Sequence, residues 1–128
     1  MNVKDIKFKA KRLDNGEWVE GDLIHKNNGV YVYNPQIVNK RGYSVQFIKV
    51  DPSTVCMFTG LKDCNGNEIY EGDIISIFEG REPCEVIFEK GCFIASNHVY
   101  GIHTTLAKGI DYYNWKLYVI SNKFDKKK

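Results

Sequence analysis

The sequence contains no apolar run that approaches the length of a membrane-spanning helix, which needs about 20 consecutive apolar residues. Its opening residues, MNVKDIKFKAKRL, include lysines, but no apolar segment follows them as it would in a secretory signal peptide. We therefore expect a cytosolic protein without a membrane partner. Because thiols stay reduced in that compartment, we expect no disulfide bonds.

Strong charge and catalytic motifs are also missing. The formal net charge is +2 at pH 7, which does not require a nucleic acid or an anionic membrane as partner. His25, His98 and His103 belong to no Ser-His-Asp or Cys-His arrangement that would supply a nucleophile with its base. We expect a protein that is not an enzyme and holds no cofactor.

The four cysteines form no Cys-x-x-Cys pair. They are Cys56, Cys64, Cys84 and Cys92. Structural zinc sites usually take two thiolates from one tight turn, so this spacing is not typical of a zinc site, although ligands could come from different strands. The alternative, which we favour, is four small apolar side chains on strands.

Aromatic residues make up 13% of the chain, and short apolar runs alternate with turn residues, a pattern that favours strands. Ile6, Phe8 and Ala10 alternate with lysines, as in a half-buried strand. We predict a mostly β fold of small barrel, SH3-like or sandwich units, with at most one helical turn near residues 103–109. The predicted domain spans 1–122, as one domain or as two β-units of about 1–55 and 56–122, and residues 123–128 form a basic tail.

The stretch TGLKDCNGNEIYEGDII (59–75) invites three chemical interpretations, and none fits well. Asp63, Asn65 and Asn67 match the start of an EF-hand loop. The match then fails, because Glu68 replaces the required glycine and Ile74 replaces the bidentate glutamate. A strand rather than a helix follows the glycines, so a phosphate loop is excluded. An acid–base pair would need carboxylates whose pKa values differ, and solvated hairpin carboxylates are far commoner.

The structural interpretation of the same stretch is a hairpin followed by a bend. Asn65-Gly66 predicts a type I′ turn, and Gly72-Asp73 predicts a bend into the next strand, where Asp73 bonds nearby backbone amides. WVEGDLI (18–24) repeats the pattern of IYEGDII (69–75), with the glycine expected to bend the backbone at the strand start. The repeat indicates either two similar β-units or convergent turn chemistry.

Three groups of residues are candidates for binding a partner. Tyr112, Tyr113 and Trp115 could form an aromatic contact patch or fill the core. The uncharged run VYVY, with Tyr31 and Tyr33 and followed by Pro35, suggests a sheet edge to which another chain could add a strand.

The third group is basic and consists of Lys7, Lys9, Lys11 and Arg12. These residues could line a nucleic-acid surface, or the lysines could guard a solvated strand against edge pairing.

The central stretch resembles the signature of the YopX family of phage and prophage proteins, which has the form TGLKDxNGxxIYEGDI. IKFKAKRLDNGEWVEGDL (6–23) is similar to the opening of that family, and YVISNKFD (118–125) is loosely similar to its end. The resemblance implies a β-rich protein encoded by a phage or prophage and acting in the bacterial host cytosol. It supplies no catalytic residues.

Together these observations lead us to expect a protein-interaction module. Its partner would be a host or phage protein, or a second copy of the chain. The alternative is a nucleic-acid-binding β-barrel.

Overall fold

Alternation of apolar and charged residues at the start of the chain produces the first strand, and the turn at Asp14–Gly16 returns it as the second. The computed structural model describes residues 2–78 and 83–125, so residues 126–128 of the predicted basic tail lie outside it. The chain divides into two compact units, Met1–Phe58 and Thr59–Lys128. Whether it folds as one domain stays a prediction.

The first unit is an antiparallel sheet with the strand order β4-β3-β2-β1-β5. Its strands are β1 (Phe8–Lys11), β2 (Trp18–Lys26), β3 (Gly29–Tyr33), β4 (Phe47–Val50) and β5 (Cys56–Lys62). β5 begins in this unit and ends in the second. The inward face carries the core, formed by Ala10, Val19, Val32, Ile48 and Val50.

The sheet of the first unit curls so that the residue after β1 reaches the end of β4. Arg12, just after β1, forms an isolated antiparallel bridge with Val50 at the end of β4. The backbone N–H of Leu13 also donates to the carbonyl of Lys49 at 3.2 Å. The contact is local, and neither sheet closes into a barrel over the described residues.

The second unit contains a five-stranded antiparallel sheet with the order β10-β9-β8-β7-β11, and β6 pairs with β5. Its elements are β6 (Glu68–Tyr70), β7 (Asp73–Ser76), β8 (Pro83–Glu89), β9 (Cys92–Asn97), β10 (Ile102–Thr105), α1 (Leu106–Asp111) and β11 (Tyr118–Asn122). The predicted mostly β fold with one short helix is therefore confirmed. The helix extends past the predicted end at Gly109, to Asp111.

One face of this sheet buries the core of the second unit. Its buried members are Ile69, Ile75, Ile77, Cys84, Val86, Ala95, Leu106 and Leu117. Burying each of its isoleucine, leucine and valine side chains stabilises the fold by about 1.5–3 kcal/mol. Among the described residues, no helix has the length and apolarity needed to cross a bilayer.

Candidate functional site

The carboxylate of Asp63 organises the turn between β5 and β6. Its Oδ1 accepts the backbone N–H groups of Asn65 at 2.9 Å and Asn67 at 2.8 Å. Its Oδ2 accepts the backbone N–H of Val119 in β11 at 2.9 Å and the side-chain amide of Asn67 at 3.2 Å. The residue is only 7% exposed. Asp63 therefore ties the turn to β11, and a calcium ion would have to displace these donors to reach either oxygen.

Burial acts to raise the pKa of Asp63, but the hydrogen bonds from Val119 and Asn67 outweigh it and hold the pKa below its ordinary value. The carboxylate is thus kept ionised at neutral pH as an acceptor of backbone hydrogen bonds. A general acid would need the opposite shift.

The predicted type I′ turn at Asn65-Gly66 is wrong. That turn needs positive φ at both residues, whereas only Gly66 has it, with φ +82°. The N–H of Gly66 donates to the carbonyl of Asp63 at 3.0 Å, and the N–H of Asp63 donates to the carbonyl of Asn67 at 2.8 Å. This is the pattern of an ordinary turn followed by a left-handed glycine, and the bond from Asn65 N–H to the Asp63 carboxylate favours it.

Gly72 and Asp73 form the predicted bend at the start of β7. Gly72 has φ +87°, and Asp73 Oδ2 accepts the backbone N–H of Tyr70 at 2.8 Å. Asp73 Oδ1 accepts the side-chain amide of Asn122 in β11 at 3.0 Å, and Asp73 is only 2% exposed. Asp73, like Asp63, is a buried carboxylate that anchors the last strand.

The two Glu-Gly-Asp sequences do not share a structure. Gly21 lies inside β2 and not at its start, and a Cβ atom there would collide with the backbone carbonyl of Tyr33. Asp22 is exposed and pairs across the strands with Tyr33. The expected bend at a strand start therefore holds for Gly72 and is wrong for Gly21, where the glycine permits close approach of β3.

Three aromatic residues that follow α1 and one lysine within it form a group in the second unit. We call it the helix-end cluster, and its members are Lys108, Tyr112, Tyr113 and Trp115. Tyr112 is 73% exposed and Tyr113 48% exposed, and their ring centroids lie 5.1 Å apart in an edge-to-face arrangement. The ring of Tyr113 stacks on that of Trp115 at 6.2 Å. Lys108 Nζ lies 5.9 Å from the Tyr112 ring and 5.8 Å from the Tyr113 ring.

Trp115 connects this cluster to the core. Its ring covers Gly109 so closely that a Cβ atom on Gly109 would collide with it, and it packs against the core of the second unit. The backbone N–H of Trp115 also donates to the carbonyl of Gly109 at 2.9 Å. Of the three predicted aromatics, the two tyrosines are therefore presented to solvent, and Trp115 supports them.

Tyr31 and Tyr33 do not lie on an edge strand, so the predicted docking edge at VYVY is wrong. β3 pairs with β2 on one side and with β4 on the other. Missing charge and Pro35 suggest an edge, but the return of β4 supplies the second partner. Both tyrosines are half-buried on the sheet face opposite the core.

That outward face carries further aromatic and basic residues. Tyr33 lies opposite Phe47, with ring centroids 5.5 Å apart, and Tyr31 lies opposite Lys49. Lys26 Nζ lies 4.9 Å from the Tyr31 ring and 4.5 Å from the Phe47 ring. We call these five residues the aromatic–lysine face.

The four predicted basic residues are held by other contacts. Lys9 and Lys11 place their ammonium groups 4.7 Å and 5.3 Å from the Trp18 ring, and Lys7 lies 5.0 Å from the Phe58 ring. Because β1 lies between β2 and β5, the interpretation of these lysines as guards of a free edge is wrong.

Arg12 instead forms a two-point contact with Asp14, at 2.9 Å and 2.7 Å. That hydrogen bond raises the pKa of Arg12 and lowers the pKa of Asp14. The guanidinium therefore already has an anionic partner within the turn.

The cysteines are free thiols, with Cys56 and Cys84 buried and Cys64 and Cys92 exposed. Burial raises the pKa of Cys84, as expected for a thiol in apolar surroundings. Within residues 2–78 and 83–125, no three His, Cys, Asp or Glu side chains are grouped so that they could hold a metal ion.

A cleft of about 680 Å³ opens on the second unit beside β7, β8 and β11. Two residues of its lining form an ion pair, with Lys123 Nζ 3.5 Å from Glu85 Oε2. The side-chain amide of Asn97 donates to the carbonyl of Pro83 at 2.7 Å. These contacts pair polar groups of the cleft with one another.

Sequence reasoning missed Lys26, Phe47 and Lys49 on the outward face and the supporting role of Gly109. Strand register decides which of the first three share a face with the tyrosines, and that register becomes readable only when the partner strands are known. Gly109 carried a weaker signal, since a glycine inside a short helix six residues before a tryptophan is compatible with close packing.

No curated protein matches the chain. The family model described as YopX protein matches residues 7–126, which is nearly the whole sequence. The chain therefore belongs to the YopX family.

Proposed function

We propose that this protein is a small interaction module, encoded by a phage or prophage, that acts in the bacterial cytosol by binding another protein. The bound protein is a host or phage protein, or a second copy of the chain. The observation that carries the proposal is the helix-end cluster, where two tyrosines are exposed side by side and Trp115, which packs against the core, supports them.

The geometry of the cluster suits a protein contact. Tyrosine is enriched among the residues that dominate binding energy, because its ring buries a large area while only two torsions are ordered. The stacking of Tyr113 on Trp115, and of Trp115 on Gly109, orients the rings before a partner arrives. Such preorganisation lowers the entropic cost of association.

A structural role accounts better than catalysis for the two buried aspartates of the central stretch. Asp63 and Asp73 are buried and bonded to backbone or amide donors that hold β11 in place. His103 forms an exposed contact with Glu89 at 3.3 Å. We therefore propose a structural role for the signature stretch.

The proposal is tested by affinity capture from nuclease-treated bacterial lysate, using the full chain and the variants Tyr112→Ala and Tyr113→Ala. We expect a discrete protein to be captured, and each variant to retain at most about a tenth of it, because losing an anchor aromatic costs about 2 kcal/mol or more. Tyr100→Ala is the matched control, since Tyr100 is 57% exposed on the same unit.

Light scattering of each purified protein identifies self-association. A dimer that Tyr112→Ala abolishes supports a second copy as the partner. Equal capture and equal mass for all variants, with unchanged thermal unfolding, would show that the cluster is not the interface.

A further inference from the structure

The aromatic–lysine face of the first unit is a second exposed surface, and it differs from the helix-end cluster in charge. Phe47 is 44% exposed, and Tyr31 and Tyr33 are half-buried beside it on the same side of β3 and β4. Side chains two residues apart on a strand share a face, so the three rings form one continuous surface. The opposite side carries buried aliphatic residues.

Two lysines reach this surface from its flanks. Lys26 lies opposite Gly29 in the β2–β3 pairing. The stem of Lys49 passes over the same glycine, since a Cβ atom on Gly29 would lie 2.7 Å from its Cε and 3.5 Å from its Nζ. The Lys26 ammonium lies over the Tyr31 and Phe47 rings, and the stem of Lys49 lies against Gly29, two residues before Tyr31.

The charge of these lysines is not neutralised locally. Neither has a carboxylate within 4.0 Å among the residues that the structure describes. The unit Met1–Phe58 contains nine lysines and arginines against six aspartates and glutamates, a net charge of +3. A polyanion is therefore the complementary partner for this face.

We propose that the aromatic–lysine face binds single-stranded nucleic acid, with bases stacking on Tyr31, Tyr33 and Phe47 and phosphates contacting Lys26 and Lys49. Every base offers a flat face for stacking, whereas the bases of a duplex are already stacked on one another. Lys26 now lies over the Tyr31 and Phe47 rings. A cation–π contact is weak at an exposed site. The flexible side chain of Lys26 can therefore move its ammonium group to a phosphate when a base stacks on the rings.

This surface is independent of the proposed protein contact. Its ligand is distinguished from an acidic peptide by stacking, which a carboxylate chain cannot provide. Recognition through two lysines and three rings predicts weak binding that depends on salt and tolerates base sequence. On single strands, each neutralised phosphate contributes a slope of about −0.7 to log K against log salt.

The test is fluorescence anisotropy of labelled oligothymidylate and oligouridylate with the full chain at low salt. We expect both to bind, and to bind more tightly than a duplex of the same length. Phe47→Leu keeps apolar bulk but removes the ring, so it should weaken binding about fivefold or more, whereas Phe47→Tyr should not. Tyr43→Leu, at an exposed position of the same unit, is the matched control.

The lysines are tested separately, in variants that leave the rings intact. Lys26→Gln should reduce the magnitude of the salt slope by about 0.7, while Lys40→Gln, an equal charge change at an exposed loop position, should leave it unchanged. Failure of the parent to bind either oligonucleotide would overturn the proposal. So would equal losses in Lys26→Gln and Lys40→Gln, unchanged binding in a folded Phe47→Leu variant, or displacement of the oligonucleotide by oligoglutamate at similar concentration.

Discussion

Asp63 illustrates how one buried side chain can hold two distant parts of a chain together. Its carboxylate bonds the turn at Asn65 and Asn67 and the backbone of Val119 in the last strand. Since hydrogen bonds to a charged acceptor are stronger than neutral ones, the ionised form is the one that stabilises the fold.

We predict that Asp63→Asn lowers the free energy of unfolding at neutral pH by about 1.5–3 kcal/mol. Both carboxylate oxygens accept N–H groups, and the amide NH2 of asparagine would face some of these donors with a donor of its own. The folded-state pKa of Asp63 lies below its ordinary value, so its stabilisation is present above the ordinary carboxyl pKa. It is lost as the pH falls through the folded-state value.

Urea unfolding of parent and variant at several pH values measures this difference. The gap between them should narrow as the pH is lowered below about 4. Asp22→Asn, at an exposed aspartate, should show almost no gap at any pH. A gap that stayed constant into the acid range would show that the charge of Asp63 is not the cause.

Gly66 is required by backbone conformation and not by space. It has φ +82°, and no atom lies within 4 Å of the position that a Cβ would take. Gly66→Val should therefore destabilise the protein by about 1–3 kcal/mol, whereas Gly66→Asn should cost less, because asparagine tolerates the left-handed region. Urea midpoints at unchanged m-value measure both, and equal losses would contradict a conformational cause.

Local patterns in the sequence predicted which segments become strands, but not the neighbours of every strand. The alternation around Ala10 and the turn at Gly16 determine β1 and its hairpin. VYVY lacks charge, which suggests an edge strand, yet its position in the sheet depends on β4, which returns after a long connection. Pairing between distant segments leaves no local signal, and for the same reason the outward face was not predicted.

The effect of Gly109→Ala on stability distinguishes two explanations for the glycine in α1, because they predict changes of opposite sign. Alanine is the better helix former by about 1 kcal/mol, so Gly109→Ala should stabilise α1 if only helix propensity matters. We predict instead a loss of about 1–3 kcal/mol, because the new Cβ collides with the Trp115 ring.

A double-mutant cycle tests this cause. In a Trp115→Ala background the collision is absent, so Gly109→Ala should become neutral or stabilising. Thermal unfolding of the four proteins measures the coupling. If Gly109→Ala has the same effect in both backgrounds, Trp115 is not the reason for the glycine.

The two units differ in the surfaces that they present. Residues Met1–Phe58 carry a net charge of +3, whereas Thr59–Lys128 contain nine basic and ten acidic residues, a net charge of −1. The exposed rings of the first unit are accompanied by Lys26 and Lys49, and those of the second by Lys108 near Asp111. This asymmetry motivates assigning different classes of partner to the two surfaces.

The most direct test compares material captured from bacterial lysate, with and without nuclease, by the parent, Tyr112→Ala, Phe47→Leu and Tyr100→Ala. If the protein is an interaction module as proposed, the parent captures a protein that resists nuclease treatment and is lost from Tyr112→Ala alone. Phe47→Leu should lose only material that nuclease removes, and Tyr100→Ala should match the parent. The account would be contradicted if nuclease removed all captured material from the parent, or if Tyr112→Ala, folded as the parent is, retained the same protein in the same amount.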